Sequence, residues 1–178
     1  MAFESSGLPR DVVADLRTDH AGETGAVWMY HGILSVARVK ALREFAQRHL
    51  ATEYVHLRRI EAWLAPADRS RLLPVWRIAG WLTGALPAVL GSKAVYATIE
   101  AVECFVGQHY AEQIERLHAQ PELTALRQTL ADCQADELEH RNEAAAAGGK
   151  GPEDWLPRTW SRLVHTVSQA AVAVCRYV

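Results

Sequence analysis

The feature that most constrains this chain is a repeated phrase, Glu53-Tyr54-Val55-His56 and Glu137-Leu138-Glu139-His140. Both read Glu-x-x-His. An α-helix turns by about 100° per residue, so positions three apart sit side by side, and each phrase aims a carboxylate and an imidazole at one point. Each is preceded by a further glutamate, Glu23 at 30 residues before Glu53 and Glu103 at 34 residues before Glu137. The pattern of Glu followed by Glu-x-x-His therefore occurs twice, and any fold for this chain has to give both copies a helical frame.

The apolar residues supply that frame. From Val12 they recur as Val12/Val13, Leu16, Ala26/Val27, Tyr30 and Ile33/Leu34, on a period of about 3.6, with Pro9 suited to the first turn. The steps missing from this stripe are filled by Asp19/His20 and Glu23. Gly22 and Gly25 flank Glu23 and are expected to let a neighbouring helix come close. A second stripe, Leu42, Phe45/Ala46, His49, Leu57, Ile60 and Leu64, has Glu53 and His56 in its gaps. A third carries Glu103 between Ile99 and Tyr110, and a fourth runs through Leu126, Leu130 and Cys133 to Glu137, His140 and Ala144. These stripes predict site helices at about 10–40, 41–65, 92–119 and 121–147. Glu139 is expected to face away from the interior, and Glu100, about 60° round from Glu103, is a weaker candidate.

Charge on a face that should be buried is costly unless it is paired, protonated or bound to a cation. The two patterns together bring four carboxylates and two imidazoles, an oxygen-and-nitrogen donor set that suits iron or manganese. One Glu from each of two helices with Glu-x-x-His from each of the other two is the arrangement of ferritin-like di-iron or di-manganese bundles. The expected fold class is all-α: a ferritin-like four-helix bundle with two additional apolar or amphipathic segments, at about 72–91 and 159–178, facing a membrane. The first of these, with Trp76, Arg77 and Trp81 and interrupted by Pro74, Gly80, Gly84 and Pro87, reads as a segment lying in the headgroup region rather than crossing the bilayer.

The remaining composition narrows the functions. At 178 residues, 49% hydrophobic and 22% charged, the chain is expected to fold as one domain, 1–178. A net charge of −2 without a long basic run excludes nucleic acid as the expected partner. Cys104, Cys133 and Cys175 show no Cys-x-x-Cys spacing and suggest neither a disulfide framework nor a thiolate zinc site. Met1 to Arg10 has no apolar core of a signal peptide, so the cytoplasm, or a surface facing it, is the expected location. Among the other histidines, His31, His49, His118 and His165 are expected on flanks or surface. His20, His109 and the neighbouring Asp19 are placed where they can support a ligand or touch a substrate.

Asp19-His20-Ala21-Gly22-Glu23 followed by Gly25-Ala26 and Tyr30, with Ala101-Val102-Glu103, His109-Tyr110, Gln113-Ile114 and Asp136-Glu137-Leu138-Glu139-His140, resembles the demethoxyubiquinone hydroxylase family of ubiquinone biosynthesis. The resemblance extends from about Leu16 to Arg141. It implies an O2-dependent di-iron monooxygenase, with two iron ions per chain held by Glu23, Glu53, His56, Glu103, Glu137 and His140, and with His109 and Tyr110 near the site. The implied substrate is the ring of a polyprenyl methoxy-methyl benzoquinone or quinol. The implied setting is peripheral, on the cytoplasmic face of the cell membrane. The chain departs from the pattern at Ala14, where some members carry arginine. No Gly-rich dinucleotide motif is present, so the electrons are expected from outside, from NADH or a reductase. A homo-oligomer and contacts with other proteins of ubiquinone biosynthesis stay open. The alternatives on the same frame are a ferritin-like iron-storage protein and a peroxide-scavenging di-metal protein.

Overall fold

The computed structural model describes residues 7–149 and 155–177, without the side chains of 155–159, 161–163 and 165. The expectations that fall on residues 1–6 and on the side chains of Arg162 and His165 lie outside the described residues. Those described form six α-helices and no strand: α1 Arg10–Val36, α2 Lys40–Glu61, α3 Leu73–Leu90, α4 Ser92–Leu117, α5 Thr124–Gly148 and α6 Trp155–Cys175. This is the all-α, ferritin-like architecture that the apolar stripes imply. The chain divides into two compact units, one of Met1–Val89 with Ala170–Val178, the other of Leu90–Gln169.

In the first unit α1 follows Pro9, whose carbonyl accepts the first helical bond from Val13 N–H at 3.0 Å. Only three residues separate α1 from α2, which makes the two helices antiparallel neighbours. Arg43 closes the corner by donating to the carbonyls of Leu34 and Ala37 at 2.6 and 3.0 Å, a cation at the negative end of α1. The core between them holds Leu16, Tyr30, Ile33, Ala46, Ile60 and Leu64. A short 3-10 turn, Pro66–Asp68, then redirects the chain into α3.

The contact of α3 with α1 is made of backbone. A Cβ at Gly80 would collide with the carbonyl of Gly25, one at Gly84 with that of Met29, and one at Gly32 with that of Trp81. The close approach expected at Gly25 is present. Gly22 does not share it, being exposed with nothing near its missing side chain. With Gly80, Gly84, Ala85 and Pro87 buried, the rest of α3 turns outward: Ile78, Leu82, Leu86 and Val89 are all exposed. α3 is the one helix among the described residues long and apolar enough to cross a membrane, and 22% of it is buried. The end of α6 is tied into the same unit. Arg176 pairs with Asp15, and Arg17 donates to the carbonyls of Arg176 and Asp68 at 3.1 and 2.6 Å. Burial raises the thiol pKa of Cys175 in this corner.

In the second unit α4 starts after Gly91, whose φ of 112° suits glycine, and α5 stops at Gly149 with φ 66°. Their shared core holds Val95, Ile99, Tyr110, Leu126, Leu130 and Cys133. Gln134 donates from its amide to the carbonyl of Gly107 at 2.9 Å, fixing one helix against the other. In α6, Trp160 donates its indole N–H to Thr98 at 2.9 Å.

The two kinds of glycine predict opposite outcomes in chemical denaturation. Gly84→Val lowers stability by about 1–3 kcal/mol, because the helices have to separate. Gly22→Ala, in an open helical position, raises it by about 0.4–1 kcal/mol.

Candidate metal centre

All six glutamates and histidines singled out by the repeated pattern are buried, none more than 5% exposed. In the first unit α1 contributes Glu23 and α2 contributes Glu53 and His56. His56 Nδ1 lies 3.6 Å from Glu23 Oε2 and 3.7 Å from Glu53 Oε2. One donor atom from each of the three falls within a common distance of 4.8 Å. In the second unit α4 contributes Glu103 and α5 contributes Glu137 and His140. His140 Nδ1 is 3.5 Å from Glu137 Oε2, and donor atoms of Glu103, Glu137 and His140 again gather within 4.8 Å. Each unit thus carries two carboxylates and one imidazole on facing helices. As a donor set, two hard oxygens and one borderline nitrogen fit a divalent iron or manganese ion, and two carboxylates match its charge.

The surrounding residues divide. Glu139 is exposed, as its position opposite the buried face requires. Glu100 is exposed as well, which removes it as a ligand. Tyr110 is buried two turns after Glu103, whereas His109 is half-buried with its ring stacked on Phe105 at 6.2 Å. His118 is exposed and His31 half-buried. His49 is a correction: it was expected on a flank or the surface, yet it is 4% exposed, with Phe45 at 4.1 Å and Tyr30 at 5.9 Å between ring centres. Its ring occupies a regular step of the α2 stripe, and two aromatic faces enclose it.

Asp19 and His20 are both buried. His20 Nε2 lies 3.4 Å from Glu61 Oε1, and Arg69 Nη1 reaches the same oxygen at 2.8 Å. Sequence reasoning had no signal for Glu61, which ends α2 41 positions from His20. Burial lowers the His20 pKa from 6.5. The bond to Glu61 opposes that shift, and the charges of Arg69 and Arg77 add to it.

Two helix pairs, each bearing a buried Glu opposite a buried Glu-x-x-His, define the class of the molecule as an all-α, ferritin-like protein with carboxylate–histidine groups. Within that class the chain belongs to the family described as ubiquinone biosynthesis protein COQ7, whose family model matches residues 10–175. It is similar to the 3-demethoxyubiquinol 3-hydroxylase of Rhodospirillum rubrum, with 39% identity over 138 residues, 76% of this chain and 64% of that protein. It is also similar to the protein of that name in Acinetobacter baumannii, 32% identical over 142 residues, 79% of this chain and 66% of the relative. A third relative is the mitochondrial NADPH-dependent 3-demethoxyubiquinone 3-hydroxylase of Caenorhabditis elegans, 28% identical over 167 residues, 92% of this chain and 88% of that protein. The match spans under two thirds of the length of the Rhodospirillum protein.

The buried histidine carries a pH signature. A ring whose pKa is lowered on folding takes up its proton more readily in the unfolded chain, so stability is full above 6.5 and falls as the pH drops below it. Urea midpoints of the intact chain decline through that window, and His20→Gln flattens the decline.

Proposed function

We propose that this chain is a 3-demethoxyubiquinol 3-hydroxylase, a di-iron monooxygenase that adds one oxygen atom from O2 to the ring of a polyprenyl methoxy-methyl benzoquinone or quinol. The observation that carries the reading is the family match over residues 10–175 of a chain whose two Glu/Glu-x-x-His triads are both buried. Glu23, Glu53, His56, Glu103, Glu137 and His140 would hold two iron ions. Four carboxylates offset the charge of two divalent ions, and two neutral imidazoles complete the set without adding any. When bound, the two irons supply the activation of O2 that no side chain can provide.

The chain's own residues do the rest. The carboxylates lie on helices of 22 to 27 residues, which hold them in place. Their burial keeps bulk water from the reacting centre. Tyr110, buried on the helix of Glu103, is placed on the substrate side in this reading, and His109 at its edge. Electrons come from outside the chain, from NADH or a reductase.

The substrate's prenyl tail stays in lipid, so the protein has to meet the membrane. The outward apolar face of α3 suits that role, because water-exposed apolar surface of this kind marks a partner or a lipid interface. One side of α3 is taken up by α1, which leaves the other to lie among headgroups and acyl chains. In this reading the protein is peripheral, on the cytoplasmic face of the cell membrane, with α6 as a second contact.

Metal analysis of the purified chain, followed by mass spectrometry of its quinone products, tests the assignment. Two irons per chain and a product heavier by one oxygen are expected. Glu137→Ala or His140→Ala abolishes the product and lowers the metal content toward one ion; full activity with metal retained would refute the ligand set. Peroxide turnover without quinone product would point to a scavenging protein instead. For docking, Ile78→Asp with Leu86→Asp lowers co-sedimentation with anionic liposomes while leaving the melting temperature unchanged; undiminished sedimentation would remove α3 from the interface.

A further inference from the structure

His20 is 2% exposed, and its Nδ1 is buried without a hydrogen-bond partner. The lowered pKa of the ring leaves it neutral near pH 7, with a single hydrogen to place. The Glu61 carboxylate beside Nε2 offers lone pairs only and is engaged by Arg69. The hydrogen therefore sits on Nε2, and Nδ1 presents a lone pair. A buried acceptor that lacks a donor is costly, a cost relieved when an occupant supplies the donor. His20 stands three residues before Glu23, so the two are neighbours on one face of α1, with Cβ atoms roughly 5–6 Å apart. A metal-ligand carboxylate and a lone-pair acceptor thus share one turn of helix.

We propose that His20 Nδ1 accepts a hydrogen bond from a ring hydroxyl of the substrate, and so selects the dihydroxy quinol ring over the dicarbonyl quinone ring. The proposal rests on the substrate reading above and adds a redox form and a residue to it. A quinol carries two O–H donors, whereas a quinone carries only acceptors. A quinol supplies the donor that the buried lone pair lacks, and a quinone cannot. The names of the relatives differ on this point, ubiquinol in Rhodospirillum rubrum and ubiquinone in Caenorhabditis elegans. Arg69 and Glu61 act through His20: they fix which nitrogen holds the hydrogen.

The test uses the full chain loaded with zinc, which turns over neither probe, under nitrogen. A tail-free methoxy-methyl hydroquinone and the matching benzoquinone are titrated against it. The chain with His20 intact binds the hydroquinone roughly three- to tenfold more tightly. His20→Leu reduces hydroquinone affinity to that of the benzoquinone and leaves the benzoquinone affinity unchanged. His20→Gln, which retains a donor for Glu61 and a carbonyl acceptor, keeps part of the preference. In 15N-histidine NMR of the unsubstituted chain, the Nδ1 resonance of His20 moves with the hydroquinone and not with the benzoquinone, a readout independent of how well His20→Leu folds. A preference that survives in His20→Leu, or equal binding of both probes with His20 intact, overturns the role of His20 alone. Binding of neither probe overturns the substrate reading and this assignment with it.

Discussion

Burying carboxylates is the constraint on which the rest of this structure depends. Each helix pair places two of them, Glu23 with Glu53 or Glu103 with Glu137, beside one imidazole and almost out of reach of water. Such a concentration of negative charge is costly in an apolar core unless it is paired, protonated or bound to a cation. Compensation by lysine or arginine would fill the space with side chain, whereas a metal ion neutralises the pair and keeps coordination positions for chemistry. The helices answer the geometric half of the same problem. A Glu and a His three apart on a rigid helix need no loop to aim them, and the facing helix has only one more carboxylate to supply.

That is also why so much of the centre was legible in the sequence. Glu-x-x-His, its upstream glutamate and the apolar stripe around them are local, periodic facts, and the helix period alone decides which side chains share a face. It buried all six candidate ligands correctly and turned Glu139 outward. His49 shows the limit of reading by residue type. It occupied a regular step of the stripe, yet was set aside as polar, although an imidazole between Phe45 and Tyr30 packs much as another aromatic ring would. Periodicity gave no access to partners distant in sequence. Glu61 and Arg69 come to His20 only because α1 and α2 run antiparallel and the chain then turns back at Pro66–Asp68.

The glycines of α3 carry the same lesson. In one dimension Gly80 and Gly84 look like breaks in an apolar run, evidence against a bilayer-crossing span. In three dimensions they are the contact surface, because α1 approaches so closely that a methyl group has no room. A helix held by its backbone needs few of its large side chains for packing. Ile78, Leu82, Leu86 and Val89 are left facing outward for that reason, and the composition that resembles a membrane span follows from how the helix is attached.

The same segment also governs the polar side of the first unit. Arg69 lies in the approach to α3 and Arg77 in its first turns, and both lower the proton affinity of His20, which stands one turn from Glu23 on α1. Burial is the main cause of the ring's lowered proton affinity; the segment from Pro66 into α3 adds to it through Arg69 and Arg77, and Arg69 with Glu61 of α2 orients the ring's hydrogen. A lipid with a polar ring and a long apolar tail presents the same pairing of demands. The outward face of α3 offers apolar surface, and the residues leading into it lie beside a hydrogen-bond acceptor one turn from the buried Glu23 carboxylate. Because Arg77 lies in α3 and Arg69 in the approach to it, a displacement of α3 from α1 would disturb the electrostatics around His20 as well as the outward apolar face.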